Sequence, residues 1–193
     1  EYINDNVLLS NLKAHLPNKD PIYVLCRNNY PLVKPCFELI RNGINATIRG
    51  AEIGKNLISR IRATKGTKIE DFLKNLKIWM NKEKMNLESN DKSIEMLMDK
   101  YDTIVALSED CNNTDQLIAK IDKIFSDKDS KICFSSIHKI KGFESNIIYI
   151  LYPELMPSTY AITEEALEQE KNVQYISVTR SKDILIYVQK LKE

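Results

Sequence analysis

Residues 135–144 place hydroxyl groups, an imidazole, two ammonium groups, a glycine and a carboxylate within ten positions. They follow directly on a β-rich apolar run at residues 132–135, which is typical of a buried strand. Open α/β folds bind ligands beyond the carboxyl ends of their strands, so we expect this polar cluster at that edge of a sheet. A capped turn with solvated lysines is the alternative, and this segment alone does not decide between the two.

A second polar segment, residues 170–183, lies between an acidic helical stretch and the last apolar run of the chain. It contains Arg180, one of six arginines in a lysine-rich sequence. The planar guanidinium suits bidentate contact with phosphate, which makes Arg180 a candidate phosphate ligand. The alternative is an ordinary ion pair with an acidic neighbour such as Asp183.

Residues 50–56 resemble a phosphate-binding loop but lack its spacing. Such a loop has four residues between its glycines and a Ser or Thr after the Lys. Here three residues separate Gly50 from Gly54, and Asn56 follows Lys55. We therefore expect the two glycines to serve a strand-to-helix turn, and these residues supply no nucleotide loop of their own.

Composition narrows the class of protein. The 193 residues carry 28 Lys and Arg against 27 Asp and Glu, a net charge of +1. This charge is too small to attract nucleic acid non-specifically over the whole surface. No apolar run reaches 18 residues and no basic, apolar leader opens the sequence, which favours a soluble intracellular protein. The cysteines share wide spacing and apolar surroundings, so we expect reduced core thiols at Cys26, Cys36, Cys111 and Cys133.

Strand and helix patterns alternate at both ends of the chain. Ile22–Cys26 predicts a strand, the spacing of apolar residues 32–40 predicts a helix that stops before Gly43, and residues 45–49 predict a second strand. Strand signals return at 132–135, 146–151 and 184–188, with a helix predicted at 164–175. This alternation indicates an α/β fold with a parallel sheet flanked by helices.

The middle of the chain, residues 53–125, has helical periodicity throughout and predicts three or four helices. We therefore assign residues 1–52 and 126–193 to the sheet domain and 53–125 to an inserted helical subdomain. Residues 49–84 carry ten Lys or Arg against four Asp or Glu, whereas residues 91–129 carry five against ten. The basic part is either a solvated face or a surface that docks a partner protein or grips duplex DNA.

Taken together, the two polar segments resemble motifs of superfamily 1 helicases of the UvrD, Rep and PcrA type. SSIHKIKGFE resembles TxHxxKGLE, and YISVTRSKD resembles YVAxTRAxx. Residues 23–29 resemble the strand of that family that ends in Arg-Thr-Asn, and residues 37–44 resemble its following helix with Gly-Ile. The resemblance implies a RecA-like sheet of the P-loop NTPase superfamily without its own P-loop, namely the C-terminal motor domain of an ATP-dependent DNA helicase.

The resemblance also implies roles for individual residues. Arg180 matches an arginine finger for ATP hydrolysis, Glu144 a ligand of the nucleotide ribose, and Gly142 and Lys141 the ATP-binding turn. The positions that match DNA contacts of the family are Ser136, His138, Asn29 and Arg27. Tyr175 is expected to have a packing role.

The same resemblance implies partners. ATP and Mg²⁺ would be held mainly by an N-terminal RecA-like domain that carries the Walker motifs, so these 193 residues alone should be inactive. Single-stranded and duplex DNA would be the substrates, with 3′ to 5′ movement, in the cytoplasm of a bacterial or phage-infected cell and in replication or repair.

Departures from the motifs are Ser136 for Thr, Phe143 for Leu and Ser181 for Ala, with Lys171 and Asn172 in place of an arginine pair. The helical block is also far shorter than the insertion of the bacterial enzymes, which fits a compact, phage-type helicase or a divergent bacterial relative. A non-catalytic module that keeps the helicase fold for DNA or protein binding is the alternative.

Overall fold

The structure, a computed structural model, describes residues 1–87, 91–128, 130–140 and 142–191. Its centre is a six-stranded sheet in which every strand pair is parallel, in the order β1-β6-β5-β2-β4-β3. The strands are β1 (Tyr2–Asn4), β2 (Ile22–Cys26), β3 (Ala46–Ile48), β4 (Ile132–Ser136), β5 (Ser145–Leu151) and β6 (Ser181–Gln189). The predicted α/β fold with a parallel sheet is confirmed.

Seven α-helices flank the sheet within the described residues. They are α1 (Leu8–Ala14), α2 (Tyr30–Arg41), α3 (Ala51–Ala63), α4 (Ile69–Asn86), α5 (Asp91–Ser108), α6 (Thr114–Ile124) and α7 (Glu164–Thr179). The predicted helical block therefore contains four helices, α3 to α6, of which α5 packs on α2 and α6 contacts β3. Because α3 begins at Ala51, the predicted boundary between residues 52 and 53 falls inside its first turn. The division into a domain and an inserted subdomain stays a prediction.

The two faces of the sheet have separate cores, since successive side chains of a strand point to opposite faces. Val24, Phe134 and Tyr149 pack on one face, together with apolar residues of α1, α2 and the helical block. Tyr23 and Leu25 point to the other face, where α7 and residues 137–140 cover them. The four cysteines are buried free thiols, as predicted.

The first strand and helix, β1 and α1, were not predicted. Helix α1 is tied to the sheet through Tyr149, which is fully buried. The Tyr149 hydroxyl donates to Asn11 Oδ1 at 2.6 Å and lies 2.6 Å from His15 Nδ1. A hydroxyl has one proton, so His15 Nδ1–H is the donor in the second bond. Burial raises the pKa of Tyr149, which keeps the phenol protonated.

The glycines of residues 50–56 have structural roles. Gly50 has φ of 121°, and its N–H and that of Ala51 donate to the Asp127 carboxylate at 2.9 and 3.2 Å. An aspartate therefore occupies the start of α3, where a phosphate loop would hold phosphate. At Gly54 a Cβ would lie 2.8 Å from Phe125 Cβ, so this glycine permits close packing of α3 on α6.

Candidate functional site

The first polar segment crosses the sheet. Ser136 ends β4 at the carboxyl edge, whereas Glu144 immediately precedes β5 at the amino edge, and β2 lies between these two strands. Since β4 and β5 are parallel, residues 137–144 must return from one edge to the other. The five residues of β2 separate the edges by roughly 17 Å at about 3.3 Å per residue. The expectation that the whole cluster lies at the carboxyl edge is therefore wrong for Gly142 and Glu144.

At the amino edge, Glu144 lies beside Arg180. Arg180 Nη1 is 3.8 Å from Glu144 Oε1, and Lys182 Nζ is 3.7 Å from Oε2. The Glu144 side chain is 48% exposed and that of Arg180 is 22% exposed. Arg180 is thus paired with Glu144 across two strands, rather than with its sequence neighbour Asp183.

Only some of the hydrogen-bond donors of the Arg180 guanidinium have an acceptor in the described part of the chain. Its Nη2 donates to Thr179 Oγ1 at 3.4 Å. Its Nε is buried and has no hydrogen-bond partner among the described residues. Buried nitrogens of this kind normally have an acceptor, and an anionic ligand could reach this one only after a local rearrangement.

Backbone contacts bring the two polar segments together. Arg180 caps the C-terminus of α7, and its carbonyl accepts a hydrogen bond from Ser145 N–H at 3.1 Å. Ser145 also stands opposite Ser181 in the pairing of β5 with β6. Glu144 and Arg180 therefore precede paired residues of neighbouring strands, which fixes them side by side.

Gly142 has φ of 89°, a left-handed conformation that side chains other than glycine adopt at a cost. A Cβ at this position would meet nothing within 4 Å in the described structure, so the turn needs glycine for its backbone and leaves open space beside it. Lys141, the other residue predicted for the ATP-binding turn, lies outside the described residues.

Phe143 anchors this turn and was not among the candidate site residues. The guanidinium carbon of Arg49 lies 4.1 Å from the centroid of its ring, and the ring of Tyr23 lies 6.2 Å away. A guanidinium over an aromatic face is attracted by its quadrupole. The aromatic residue that replaces the motif Leu thereby gains a cationic partner at the end of β3.

At the carboxyl edge, Ser136 is buried and His138 is exposed on the turn that follows β4. Asn29 follows β2 at the same edge, but Asp99 of α5 engages its donors. Asn29 Nδ2 and N–H donate to Asp99 at 2.9 and 3.2 Å, and Tyr30 N–H donates at 2.9 Å. The Asn29 Oδ1 atom is buried and has no partner within the described part of the chain. Asp99 thus caps the N-terminus of α2.

Arg27 is engaged by two carboxylates. Its Nε donates to both oxygens of Glu170 at 3.1 Å, and its Nη2 donates to Glu170 Oε1 at 2.8 Å and to Glu95 Oε2 at 3.3 Å. A DNA contact by this guanidinium, as the motif resemblance implied, would require these bonds to break.

Glu170 is the most buried carboxylate of this edge. Burial alone would raise the pKa of Glu170, but hydrogen bonds from Arg27 and from Ser158 N–H outweigh it and hold the pKa below its ordinary value. Sequence reasoning did not single out Glu170, Glu95 or Asp99, the carboxylates that bind Arg27 and Asn29. The available signal was that residues 95 and 99 are one turn apart on a predicted helix, but their partners lie far away in sequence.

Tyr175 does not pack in the core. Its side chain is 68% exposed on α7, so the expectation of a packing role is wrong. The buried residues of this helix are Glu170, Val173 and Ser177.

The family model for the UvrD-like helicase C-terminal domain matches residues 36–191. This range includes the crossing segment, the helical block and the segment that carries Arg180. The chain belongs to the UvrD-like helicase C-terminal domain family. The match confirms the resemblance and the RecA-like fold of this UvrD-like domain, although the segment that holds Arg27 and Asn29 precedes it. No curated protein matches the chain significantly.

Two further observations concern the described residues of the UvrD-like domain. No group of His, Cys, Asp or Glu side chains among them is placed to hold a metal ion. None of their helices is long and apolar enough to cross a membrane.

Proposed function

We propose that this UvrD-like domain is the C-terminal motor half of an ATP-dependent DNA helicase. The amino edge of its sheet serves ATP hydrolysis, and the carboxyl edge serves single-stranded DNA. The observation that carries the proposal is the convergence of Glu144 and Arg180, two residues distant in sequence, at one partly exposed site.

Arg180 is the proposed catalytic residue. When the cleft to an N-terminal motor domain closes, its guanidinium neutralises charge that develops on the γ-phosphate of ATP. Glu144, whose contacts with Arg180 and Lys182 are long at 3.8 and 3.7 Å, can also accept a hydrogen bond from the ribose. Gly142 leaves open space for the nucleotide, and Lys141 is proposed to join the same phosphate environment.

The described residues fit a triphosphate better than a metal ion. Arg180 and Lys182 are cations at one edge, and no metal-binding cluster is found among the described residues. We therefore assign Mg²⁺, with the Walker motifs, to the N-terminal domain. These 193 residues contain no Walker A sequence, and we propose that they do not hydrolyse ATP alone.

The proposed DNA contacts are Ser136, His138 and Asn29 at the carboxyl edge. A hydroxyl, an imidazole and an amide can donate hydrogen bonds to phosphate without the fixed positive charge of Lys or Arg, which would retain a moving strand. The amide of Asn29 would first have to release Asp99. Movement in the 3′ to 5′ direction, an intracellular location and a role in replication or repair follow from the family alone and belong to the same proposal.

The test compares DNA-stimulated ATP hydrolysis of the full-length protein with that of Arg180→Ala. Loss of an arginine finger lowers turnover by about a thousandfold or more, and single-stranded DNA binding should persist. Arg41→Ala is the matched control, because Arg41 is an exposed arginine whose contacts are an ion pair with Asp110 and the ring of Phe37. Unchanged turnover in Arg180→Ala would refute the assignment. Absence of GxxxxGK[ST] from the remainder of the protein would favour a non-catalytic module instead.

A further inference from the structure

We propose that Arg27 is a positioning residue rather than a DNA contact. Its ion pair with Glu170, which we call the strut, holds α7 in position. It thereby also positions Arg180, the residue at the end of that helix. With Glu95, Arg27 links this strut to the helical block. The inference rests on the proposed function of Arg180.

The strut is a forked, desolvated contact. Three hydrogen bonds of 2.8 to 3.1 Å join the Arg27 guanidinium to the two Glu170 oxygens. The exposed fractions of the two side chains are 12% and 7%. Charge-assisted bonds in such a bidentate arrangement fix both distance and orientation, which a single lysine ammonium cannot reproduce.

Ser158 completes the arrangement from the loop that follows β5. Its N–H donates to Glu170 Oε2 at 3.0 Å, and its hydroxyl donates to Glu95 Oε2 at 2.9 Å. Glu95 Oε2 also accepts from Arg27 Nη2 at 3.3 Å. One serine therefore bridges the two carboxylates that hold the guanidinium, so α5, α7 and the end of β2 meet at one point.

Helix α7 carries this contact from one edge of the sheet to the other. Glu170 meets Arg27 at the carboxyl edge, and Arg180 ends the helix at the amino edge. Ten residues at about 1.5 Å per residue place the two positions roughly 15 Å apart along the helix. A helix behaves as a stiff element over this length. A change in the position of Glu170 relative to Arg27 therefore shifts the guanidinium of Arg180.

Local charge argues against phosphate binding by Arg27. Two carboxylates already face its single positive charge. A neighbouring pocket of about 160 Å³ is lined by Glu95, Asp99, Asp102 and Glu154 among others. The carboxylates of this pocket repel a phosphate group that approaches Arg27 through it. Like charges at short range are unfavourable in a partly buried setting.

The test is Arg27→Lys in the full-length protein, which keeps the charge and removes the fork. We expect kcat of DNA-stimulated ATP hydrolysis to fall by about ten- to a hundredfold, as for small misplacements of catalytic groups. KM for ATP, the Kd for single-stranded DNA and the salt dependence of that Kd should stay within about twofold, since no ligand contact is lost. Glu170→Gln should lower kcat similarly, and the double variant should be no worse than the poorer single variant, because both changes break one unit.

Glu95→Gln tests the link to the helical block and leaves the Arg27–Glu170 fork intact. It should lower kcat by a smaller factor, with an unchanged melting temperature. Arg41→Lys, at the exposed pair with Asp110, is the matched control and should change nothing. If Arg27→Lys fails to fold, Glu170→Gln and Glu95→Gln decide, and unchanged kcat in both would overturn the inference.

A different result would return Arg27 to the DNA contacts. In that case Arg27→Lys or Arg27→Ala would weaken DNA binding and reduce the slope of log Kd against log salt by about one, with kcat at saturating DNA unchanged. Failure of the proposed function is separate, since it would appear as unchanged turnover in Arg180→Ala.

Discussion

Asp99 provides the sharpest test of how the helical block is attached to the sheet. Its carboxylate accepts three hydrogen bonds, from Asn29 N–H, Asn29 Nδ2 and Tyr30 N–H. Two of these donors are backbone groups at the first turn of α2, which have no partner inside that helix. Asp99→Ala removes every acceptor at once and should destabilise the domain.

The magnitude follows from the two roles of the carboxylate. Loss of an N-terminal cap costs about 0.5–2 kcal/mol. Loss of the negative charge beside the helix dipole adds about 0.3–1 kcal/mol. Water can reach the exposed Tyr30 and replace part of the bonding, so we expect a total of about 1–3 kcal/mol. Asp99→Asn keeps one acceptor oxygen and should lose about 1 kcal/mol.

Asp102 on the same helix is the matched control. Burial, together with the charge of Asp99, raises the pKa of the Asp102 carboxyl above its ordinary value. Its charge is therefore unfavourable in the folded protein at neutral pH, and Asp102→Asn should leave stability unchanged or slightly higher. Urea unfolding of the domain, extrapolated linearly to water, measures both effects. Equal losses for Asp99→Ala and Asp102→Asn would refute the capping geometry.

Three further changes test other contacts. Gly54→Ala should cost about 1–3 kcal/mol in urea unfolding, since its Cβ would lie 2.8 Å from that of Phe125, whereas Gly43→Ala, with φ of 74° in open space, should cost only about 1 kcal/mol. Tyr149→Phe should lose about 1–2 kcal/mol by the same measurement, because it leaves Asn11 of α1 and His15, which caps that helix, without these bonds. Because the pKa of Glu170 is lowered in the fold, its carboxylate stabilises the protein at a pH above the ordinary pKa of Glu, and this stabilisation is lost below about pH 4. In Glu170→Gln the melting temperature should therefore fall less steeply as the pH is lowered. An equally steep fall in the variant would contradict this.

The main strands could be predicted because each is a short β-rich run between turn residues. Ile22–Cys26 matches its observed bounds, and the other buried strands differ by one to three residues at their ends. Strand β1 could not be found in this way. Its three residues are stabilised by pairing with β6, where Tyr2 stacks on Tyr187 with centroids 4.9 Å apart. That partner is at the opposite end of the chain, so no local pattern reports it.

The sequence likewise predicted some contacts of the candidate site and missed others. The motif order indicated that Glu144 and Arg180 act together, and the pairing of β5 with β6 places them side by side. The environment of Arg27 could not be predicted, because Glu95 and Glu170 reach it from two different helices. A motif specifies which residue types are present at a site, whereas tertiary packing decides which of their donors are already used.

The two polar segments share one property that the sequence did not reveal, since each runs from the carboxyl edge of the sheet to the amino edge. Residues 137–140 and α7 also pack on each other over the same face, through Ile137, Ile140 and Val173. If DNA binds at one edge and ATP at the other, as proposed, we expect a shift of residues 137–140 to displace α7. We then expect Glu144 and Arg180 to move together, because Arg180 caps α7 and Glu144, which follows residues 137–140 in the sequence, lies beside it. The coupling between DNA and ATP would thus depend on the packing of three apolar side chains as much as on the charged residues at either end.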